Sequence, residues 1–238
     1  LAGNISSESS TISITIDTTA PNAPTSLVDI SATNDTTPII TGTAEADSII
    51  TLLSGDIILG TATTDSEGAF SITPSAALAD GDYSITATAT DAAGNISSLS
   101  SSISITIDTT APDAPSSLAS SSSETNDTTP IITGTAEANS TITLLNGIIV
   151  LGTATTDSEG AFSITPSSAL EDGDYLLEAK ATDSAGNISS ESSSISITID
   201  TTAPDAPTSL ATSSSITNNS TPTITGNAEA DSTITLLN

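Results

Sequence analysis

The chain has no cysteine, methionine, tryptophan or histidine, and its only basic residue is Lys180. Without histidine or cysteine it lacks the preferred ligands of transition metals and the usual base that activates a serine or threonine nucleophile. We therefore expect no enzyme activity. The absence of cysteine also excludes disulfide bonds, so an extracellular domain of this sequence would need another source of stabilisation, such as a bound metal ion.

Aromatic residues are almost as scarce. There are four in 238 residues, namely Phe70, Tyr83, Phe162 and Tyr175. A core built mainly from small and β-branched side chains buries little apolar area per residue. Each domain is therefore expected to be modestly stable alone and to gain from ligands or neighbours.

Acidic residues dominate the charge: 29 of them give a net charge of -28. Such a surface repels phosphate, which argues against nucleic acid as a partner. High charge with few aromatics also resembles the composition of disordered chains. However, isoleucines alternate with polar residues over 12–16, 103–107 and 195–199, a period of two that predicts strands with one buried face.

The sequence repeats with a period of 91 to 92 residues, which indicates tandem domains. The segment Ile-Asp-Thr-Thr-Ala-Pro at 16–21 recurs at 107–112 and 199–204. We predict that 1–16 is the final strand of a preceding repeat, that 17–107 and 108–199 are complete repeats, and that 200–238 holds the first strands of another. The parent protein is accordingly expected to be longer.

One copy reads as about seven short strands separated by turn signals, which is the spacing of a β-sandwich. Tyr83 and Tyr175 follow Asp-Gly-Asp, where immunoglobulin-like domains place the tyrosine of a tyrosine corner; an ordinary half-buried aromatic is the alternative. Asn146-Gly147 predicts a hairpin turn in which both residues tolerate positive φ. The predicted fold class is all-β, with tandem immunoglobulin-like sandwiches arranged as an extended rod.

If the strands alternate in direction, acidic loops collect at the two ends of each sandwich, which we call its N-terminal and C-terminal poles. Carboxylates close together repel one another and attract a cation, and an oxygen-only donor set suits Ca²⁺. A solvated acidic surface that aids solubility is the alternative. Acids that recur from copy to copy at the N-terminal pole are the candidate calcium ligands: Asp17, Glu45, Asp65, Asp91, Asp108, Glu137, Asp157, Asp183, Asp200 and Glu229.

Four motifs carry a resemblance that covers essentially the whole chain: Asp-Thr-Thr-Ala-Pro, Thr-Gly-Thr-Ala-Glu-Ala, Thr-Asp-Ser-Glu-Gly-Ala-Phe and Ala-Thr-Asp-Ala-Ala-Gly-Asn. Together they resemble the bacterial Ig-like repeats of giant biofilm-type surface adhesins exported by type I secretion. That resemblance implies an extended rod whose junctions bind Ca²⁺, with the linker aspartates, the Ala-Glu-Ala glutamates and Asp91 and Asp183 as ligands. The third copy departs from the pattern at Asn219 and Asn227.

The resulting hypothesis is a stalk on a bacterial cell surface, stiffened by Ca²⁺ at the domain junctions, that holds a distal adhesive domain. Its expected partners are the neighbouring repeats and possible further copies of the protein, with no membrane insertion by this segment. A different class of function stays open: a self-associating or ligand-binding repeat of an extracellular filament, because exposed edge strands can pair between chains.

Overall fold

The computed structural model describes residues 3–237, and all regular elements in that range are β-strands. Seven strands form the first complete repeat: β1 (Ile30–Thr33), β2 (Ile40–Thr43), β3 (Ile49–Ser54), β4 (Ile57–Thr63), β5 (Ala69–Ile72), β6 (Gly81–Thr90) and β7 (Ile103–Ile107). Eight form the second: β8 (Ser116–Ser120), β9 (Glu124–Thr125), β10 (Ile132–Thr135), β11 (Thr141–Asn146), β12 (Ile149–Thr155), β13 (Ala161–Ile164), β14 (Gly173–Thr182) and β15 (Ile195–Ile199).

Both complete repeats are two-layered sandwiches, and their larger sheets have the same strand order. In the first, the larger sheet runs β1-β7-β6-β3-β4 and the smaller pairs β2 with β5. In the second, the larger sheet runs β9-β15-β14-β11-β12 and the smaller runs β13-β10-β8. The last strand of each repeat pairs in parallel with a short strand near its start, β1 with β7 and β9 with β15, whereas the other ladders are antiparallel. The predicted all-β sandwich class is confirmed.

Period-two patterning fills each core. In the first repeat the fully buried side chains include Ile50 and Leu52 of β3 and Ile85 of β6. The single phenylalanine packs on a glycine, because a Cβ at Gly42 would lie 2.5 Å from Cζ of Phe70. The second repeat reproduces this contact between Gly134 and Phe162 at the same distance. The glycine of Thr-Gly-Thr is thus required for the ring to reach the core.

The tyrosines form the predicted corner in both repeats. The hydroxyl of Tyr83 donates to the carbonyl oxygen of Ala79 at 2.9 Å, and that of Tyr175 donates to Glu171 at 3.0 Å. A tyrosine near the start of this strand that bonds a backbone carbonyl just upstream is a hallmark of immunoglobulin-like sandwiches. Each bond ties the longest loop of its repeat to the following strand.

The hairpin prediction is right in place but wrong in turn type. Asn146 pairs with Ile149, so the two turn residues are Gly147 and Ile148, and of these only Gly147 has a positive φ, at 58°. A single positive φ at the first turn position is the pattern of a type II′ turn, which needs glycine only there. Asn146 ends the strand and contributes no positive φ.

Outside the complete repeats the structure is sparse. Residues 3–24 form no strand. Ile12, Ile14 and Ile16 are 83%, 77% and 86% exposed. Their counterparts lie in β7 and β15, and each of these strands pairs with two neighbouring strands. The chain closes with a two-stranded sheet of β16 (Thr208–Thr212) and β17 (Ile224–Asn227). Within residues 3–237, no helix is long and apolar enough to cross a membrane.

Candidate functional site at the repeat junction

Strand pairing brings the candidate acids of each repeat to its N-terminal pole. Ile49 pairs with both Thr63 and Thr90, so the loops before β3, after β4 and after β6 lie side by side. These loops carry Glu45, Asp65 and Asp91 of the first repeat and, at the equivalent positions, Glu137, Asp157 and Asp183 of the second. The structure thus places these six residues at the pole where the sequence analysis expected them.

The turn between β6 and β7, residues 91–95, is built by its own aspartate. Oδ1 of Asp91 accepts hydrogen bonds from the backbone N–H groups of Ala93 at 2.9 Å and Asn95 at 2.8 Å, and Oδ2 accepts one from Nδ2 of Asn95 at 2.7 Å. In residues 183–187 of the second repeat, Asp183 makes the same three bonds at 2.8 to 2.9 Å. We call these two segments the asparagine turns.

The asparagine of each turn also reaches the linker that precedes its repeat. Nδ2 of Asn95 donates to the carbonyl oxygen of Asp17 at 3.2 Å, and Nδ2 of Asn187 donates to that of Asp108 at 2.8 Å. One amide group thus bridges the turn carboxylate and the linker backbone. The linker aspartates themselves fold the linker locally, since Oδ1 of Asp108 accepts the N–H of Thr110 at 2.9 Å.

The same linker is held from the other side by the repeat that it leaves. The N–H of Asp108 donates to the carbonyl oxygen of Thr33 at 3.1 Å, which extends the β1–β7 pairing by one residue. Oδ1 of Asp80, in the long loop before β6, accepts the N–H of Thr109 at 3.1 Å and its hydroxyl at 2.8 Å. Asp172 binds Thr201 of the next linker in the same way.

The two complete repeats also touch directly. The N–H of Asn34, in the turn after β1, donates to the carbonyl oxygen of Ala185 in the second repeat at 3.0 Å. Ala185 and Asn187 are each only 8% exposed. The junction between the repeats is therefore an ordered contact that includes the linker and the facing turns.

Other candidate acids have local structural roles. Oδ1 of Asp65 accepts the N–H groups of Glu67 and Ala69 at 2.9 and 2.8 Å, and Asp157 does the same in the second repeat. The glutamates contribute through their backbone: the carbonyl oxygen of Glu45 accepts the hydroxyls of Ser48 and Thr64 at 2.7 and 2.6 Å. Glu137 repeats this arrangement. The carboxylates of the two glutamates lie on exposed residues.

In the third copy, the carboxylate of Asp200 folds its linker by accepting the N–H of Thr202 at 2.9 Å. The backbone carbonyl of Glu229 accepts the hydroxyl of Ser232 at 2.7 Å. Both residues are exposed.

Hydrogen bonding favours the ionised form of three aspartates. The side chain of Asn95 is the main cause of the lowered pKa of Asp91. For Asp183, partial burial raises the pKa, but the donors from Asn187, Ala185 and Gly186 together outweigh it and hold the pKa below its ordinary value. The hydroxyl of Thr201 is the main cause of the lowered pKa of Asp172. All three carboxylates are therefore ionised at neutral pH.

The donor chemistry at the junction fits a hard cation better than its geometry does. All candidate side chains offer carboxylate oxygens, which suit Ca²⁺. Yet within residues 3–237 no three acidic side chains converge closely enough to hold a metal ion. At the second asparagine turn, the group that bonds these oxygens is the side-chain amide of Asn187. Its Nδ2 donates to Oδ2 of Asp183 and to the backbone carbonyl oxygen of Asp108, both at 2.8 Å.

Sequence reasoning did not assign a role to three residues that hold the junction. Asp80 and Asp172 bind the linker threonines, and Asn34 joins the repeats. The first two recur at the period of the repeat, and Asn34 recurs as Asn126 and Asn218. Their recurrence could therefore have marked them as functional. Their hydrogen-bond partners, however, lie about 30 residues away for the aspartates and about 150 for Asn34, and recurrence does not identify them.

Comparison with known proteins gives a family and several similar structures. A family model described as a bacterial Ig-like domain matches residues 28–109 and 111–201. No curated protein matches the chain. Among solved structures, a biofilm-associated protein BSP domain is 24% identical with a TM-score of 0.31, and the match covers 77% of this chain and 30% of that one.

Two further solved structures are similar. A tetra-tandem repeat from the extending region of a large adhesion protein is 26% identical with a TM-score of 0.32, over 84% of this chain and 54% of that one. Fibronectin(III)-like modules of Clostridium thermocellum CbhA are 17% identical with a TM-score of 0.43, over 78% of this chain and 93% of theirs. The chain thus spans less than a third of the length of the biofilm-associated structure and about half of the adhesion-protein repeat.

Proposed function

Because this chain belongs to the bacterial Ig-like domain family, we propose that it is a structural spacer: a stalk segment of a bacterial surface adhesin that acts outside the cell. One observation carries the proposal. The linker at Asp108 is bonded on one side to Thr33 of the first repeat and on the other to Asn187 of the second. A linker fixed at both ends transmits the orientation of one repeat to the next, which is what a spacer requires.

The dimensions of the repeat support this role. The longest strands, β6 and β14, have ten residues each. At about 3.3 Å per residue, each repeat spans roughly 33 Å along its strands. Consecutive repeats joined end to end would therefore add length efficiently, and a distal adhesive domain would be held well away from the cell surface.

We further propose that Ca²⁺ binds at the junctions and stiffens the stalk. Support comes from the net charge of -28 with a single basic residue, and from acids of both repeats that meet near one linker, including Asp80, Asp108 and Asp183. Two unit charges 4 Å apart repel by about 1 kcal/mol in water and by several times that near a protein surface. A divalent cation would reduce this repulsion, and extracellular calcium modules bind at about 10⁻⁴ to 10⁻³ M.

Small-angle X-ray scattering on this chain tests both parts. The expected maximum dimension exceeds about 66 Å, the length of two repeats in line, and millimolar Ca²⁺ narrows the distribution of sizes relative to EGTA at constant ionic strength. A compact particle in both buffers would refute the stalk. Coinciding extended profiles would leave the stalk standing but refute the role of calcium, and the acids would then serve solubility.

A second candidate function, self-association in an extracellular filament, is favoured by the exposed hairpin between β11 and β12. Ile148, Ile149 and Val150 are 99%, 59% and 57% exposed there, and β12 is the edge of its sheet. Backbone pairing along this edge is restricted, because the N–H of Ser167 already occupies the carbonyl of Leu151 at 2.7 Å. Association would therefore use the apolar side chains.

Sedimentation velocity over a range of concentrations tests this candidate. Self-association should appear as a sedimentation coefficient that rises with concentration and falls back in an Ile148→Asp variant. The matched control is Ser158→Asp, which adds the same charge at an exposed loop position. A coefficient that stays constant for the wild type would remove this second function.

A further inference from the structure

The direct contact between the repeats is centred on a small seat, defined here as Ala185 and Gly186 of the second asparagine turn. Asn34 of the first repeat covers it. The backbone N–H of Asn34 bonds the carbonyl of Ala185 at 3.0 Å, and a Cβ at Gly186 would lie 3.6 Å from Nδ2 of Asn34. Gly186 has a φ of 93°, a conformation that L side chains rarely adopt. Glycine is therefore needed for the turn, and the side chain of Asn34 lies within van der Waals distance of it.

The first asparagine turn is a built-in reference for this seat. Its residues Ala93 and Gly94 match Ala185 and Gly186, and its internal hydrogen bonds are the same. Yet Ala93 is exposed, and a Cβ at Gly94 would meet nothing within 4 Å. The burial of Ala185 to 8% exposure therefore comes from docking and not from the turn itself.

The two donors that reach across from one repeat or linker to the other are amide groups. The N–H of Asn34 is neutral, and the side-chain amide of Asn187 donates to both Asp183 and the carbonyl of Asp108 at 2.8 Å. Hydrogen bonds to an ionised acceptor are about twice as strong as neutral ones. Of these bonds only the one from Asn187 to Asp183 has an ionised acceptor, and both donors are supplied by the chain itself.

We propose that consecutive repeats dock through this seat, that Asn34 is the residue of the preceding repeat that contacts it, and that docking does not require a metal ion. The inference deepens the proposed stalk function and rests on it, but it does not rest on the proposed role of Ca²⁺, which would only tighten a joint that has already formed. It also defines the partner by its chemistry: a following repeat whose turn reads Asp-x-Ala-Gly-Asn. Asn126 holds the position of Asn34 in the second repeat, so its partner would be the equivalent turn of the next repeat.

Spin-label distance measurements test the proposal in EGTA. Because the chain has no cysteine, Thr61→Cys and Thr153→Cys give two unique labelling sites on exposed strand positions away from the poles. The wild-type background should give a narrow distance distribution without calcium. Ala185→Leu should abolish the narrow component, because the branched side chain has no room under Asn34, whereas Ala93→Leu at the exposed equivalent should leave it intact.

The outcomes separate this proposal from the one on which it rests. Equal widths for Ala185→Leu and Ala93→Leu in EGTA would overturn the seat. A wild-type distribution that is broad in EGTA and narrow in Ca²⁺ would also overturn metal-free docking but would leave the calcium-stiffened stalk standing. A broad distribution in both buffers would overturn the stalk as well.

Amide hydrogen exchange in EGTA gives a second readout that needs no substitution. The N–H of Asn34 should exchange slowly because Ala185 accepts it. The N–H of Asn126, at the same turn position, has no acceptor in another repeat within residues 3–237 and should exchange fast. Equal exchange of the two amides would contradict docking.

Discussion

The two asparagine turns have nearly the same sequence and the same internal hydrogen bonds, but different surroundings. In the first, the bond from Asn95 to the linker carbonyl measures 3.2 Å and Ala93 is exposed. In the second, the bond from Asn187 measures 2.8 Å, and Ala185 is buried with its carbonyl bonded by Asn34 of the first repeat. The difference lies in the neighbour, since the turn itself is unchanged.

The comparison separates two kinds of contact at the junction, one local to the turn and one between repeats. The aspartate fixes the turn through local bonds that span four residues or fewer. The neighbouring repeat docks on a surface that already has its final shape. Since little backbone needs to be ordered for docking, a few hydrogen bonds and one buried alanine can hold the joint.

The largest effect is expected from removing the aspartate of a turn. Asp183→Ala leaves the N–H groups of Ala185 and Asn187 without their acceptor, and we expect about 1 to 2 kcal/mol less stability of the second repeat together with loss of docking. Asp91→Ala should destabilise the first repeat but leave the junction between the two repeats ordered. Urea unfolding followed through amide NMR signals of each repeat measures this; docking retained in Asp183→Ala would contradict it.

A smaller effect is expected from removing only the bridging amide. Asn187→Ala keeps the two backbone bonds to Asp183 but loses the bond to Asp108, and should cost about 1 kcal/mol. The order of the junction should fall in the spin-label experiment with the labels at residues 61 and 153. Asn95→Ala is the matched control, and it should leave that distance distribution unchanged. Identical distributions for the two variants would show that the amide does not hold this linker.

Acidification should weaken the turns in a defined pH range. Because the pKa of Asp183 is lower in the folded protein than its ordinary 3.8, its contribution is complete above that pH and is lost as the pH falls through the depressed value. Relief of repulsion among the other carboxylates acts in the opposite direction. Urea unfolding of wild type and of Asp183→Asn between pH 7 and pH 2 separates the two effects. The difference in unfolding free energy between the two proteins should shrink only below about pH 4. A difference that is independent of pH would be inconsistent with this role.

The smallest effect concerns a contact that only the second repeat has. Nζ of Lys180 lies 3.2 Å from Oε1 of Glu191, and these side chains are 36% and 48% exposed. Lys180→Thr, which installs the residue of the first repeat, should change stability by less than about 1 kcal/mol, because exposed ion pairs contribute little. Thr88→Lys in the first repeat, which has Leu99 in place of the glutamate, is the control. Thermal unfolding measures both, and a large loss in Lys180→Thr would mean that the single cation has a wider role.

Much of the fold could be predicted because its determinants are local. Alternating isoleucines predicted the last strand of each complete repeat, and Asp-Gly-Asp-Tyr predicted the tyrosine corner that Tyr83 and Tyr175 form. The hairpin at Gly147 was placed correctly, but its type was not, because strand register decides which two residues occupy the turn. Residues 12–16 form no strand in the structure, and their assignment to the final strand of a preceding repeat stays a prediction.

The candidate site was only partly predictable. The motif Asp-x-Ala-Gly-Asn pointed to Asp91 and Asp183, but as calcium ligands, whereas the structure shows them as acceptors that fold their own turns. Calcium binding stays a prediction. The recurrence of an acid in each copy does not distinguish a metal ligand from a turn-forming residue, because both roles demand the same carboxylate at the same place.

By itself the sequence determined the period, the strands and the turns, since these depend on residues a few positions apart and on a pattern that repeats. It also indicated the family, because the four motifs that carry the resemblance are short and contiguous. Only the tertiary structure decided that Asn34 meets Ala185 and that the amide of Asn187 stands between two oxygens at the linker. Those contacts join residues about 80 and 150 positions apart, and no local rule specifies which surfaces meet once the sandwiches have formed.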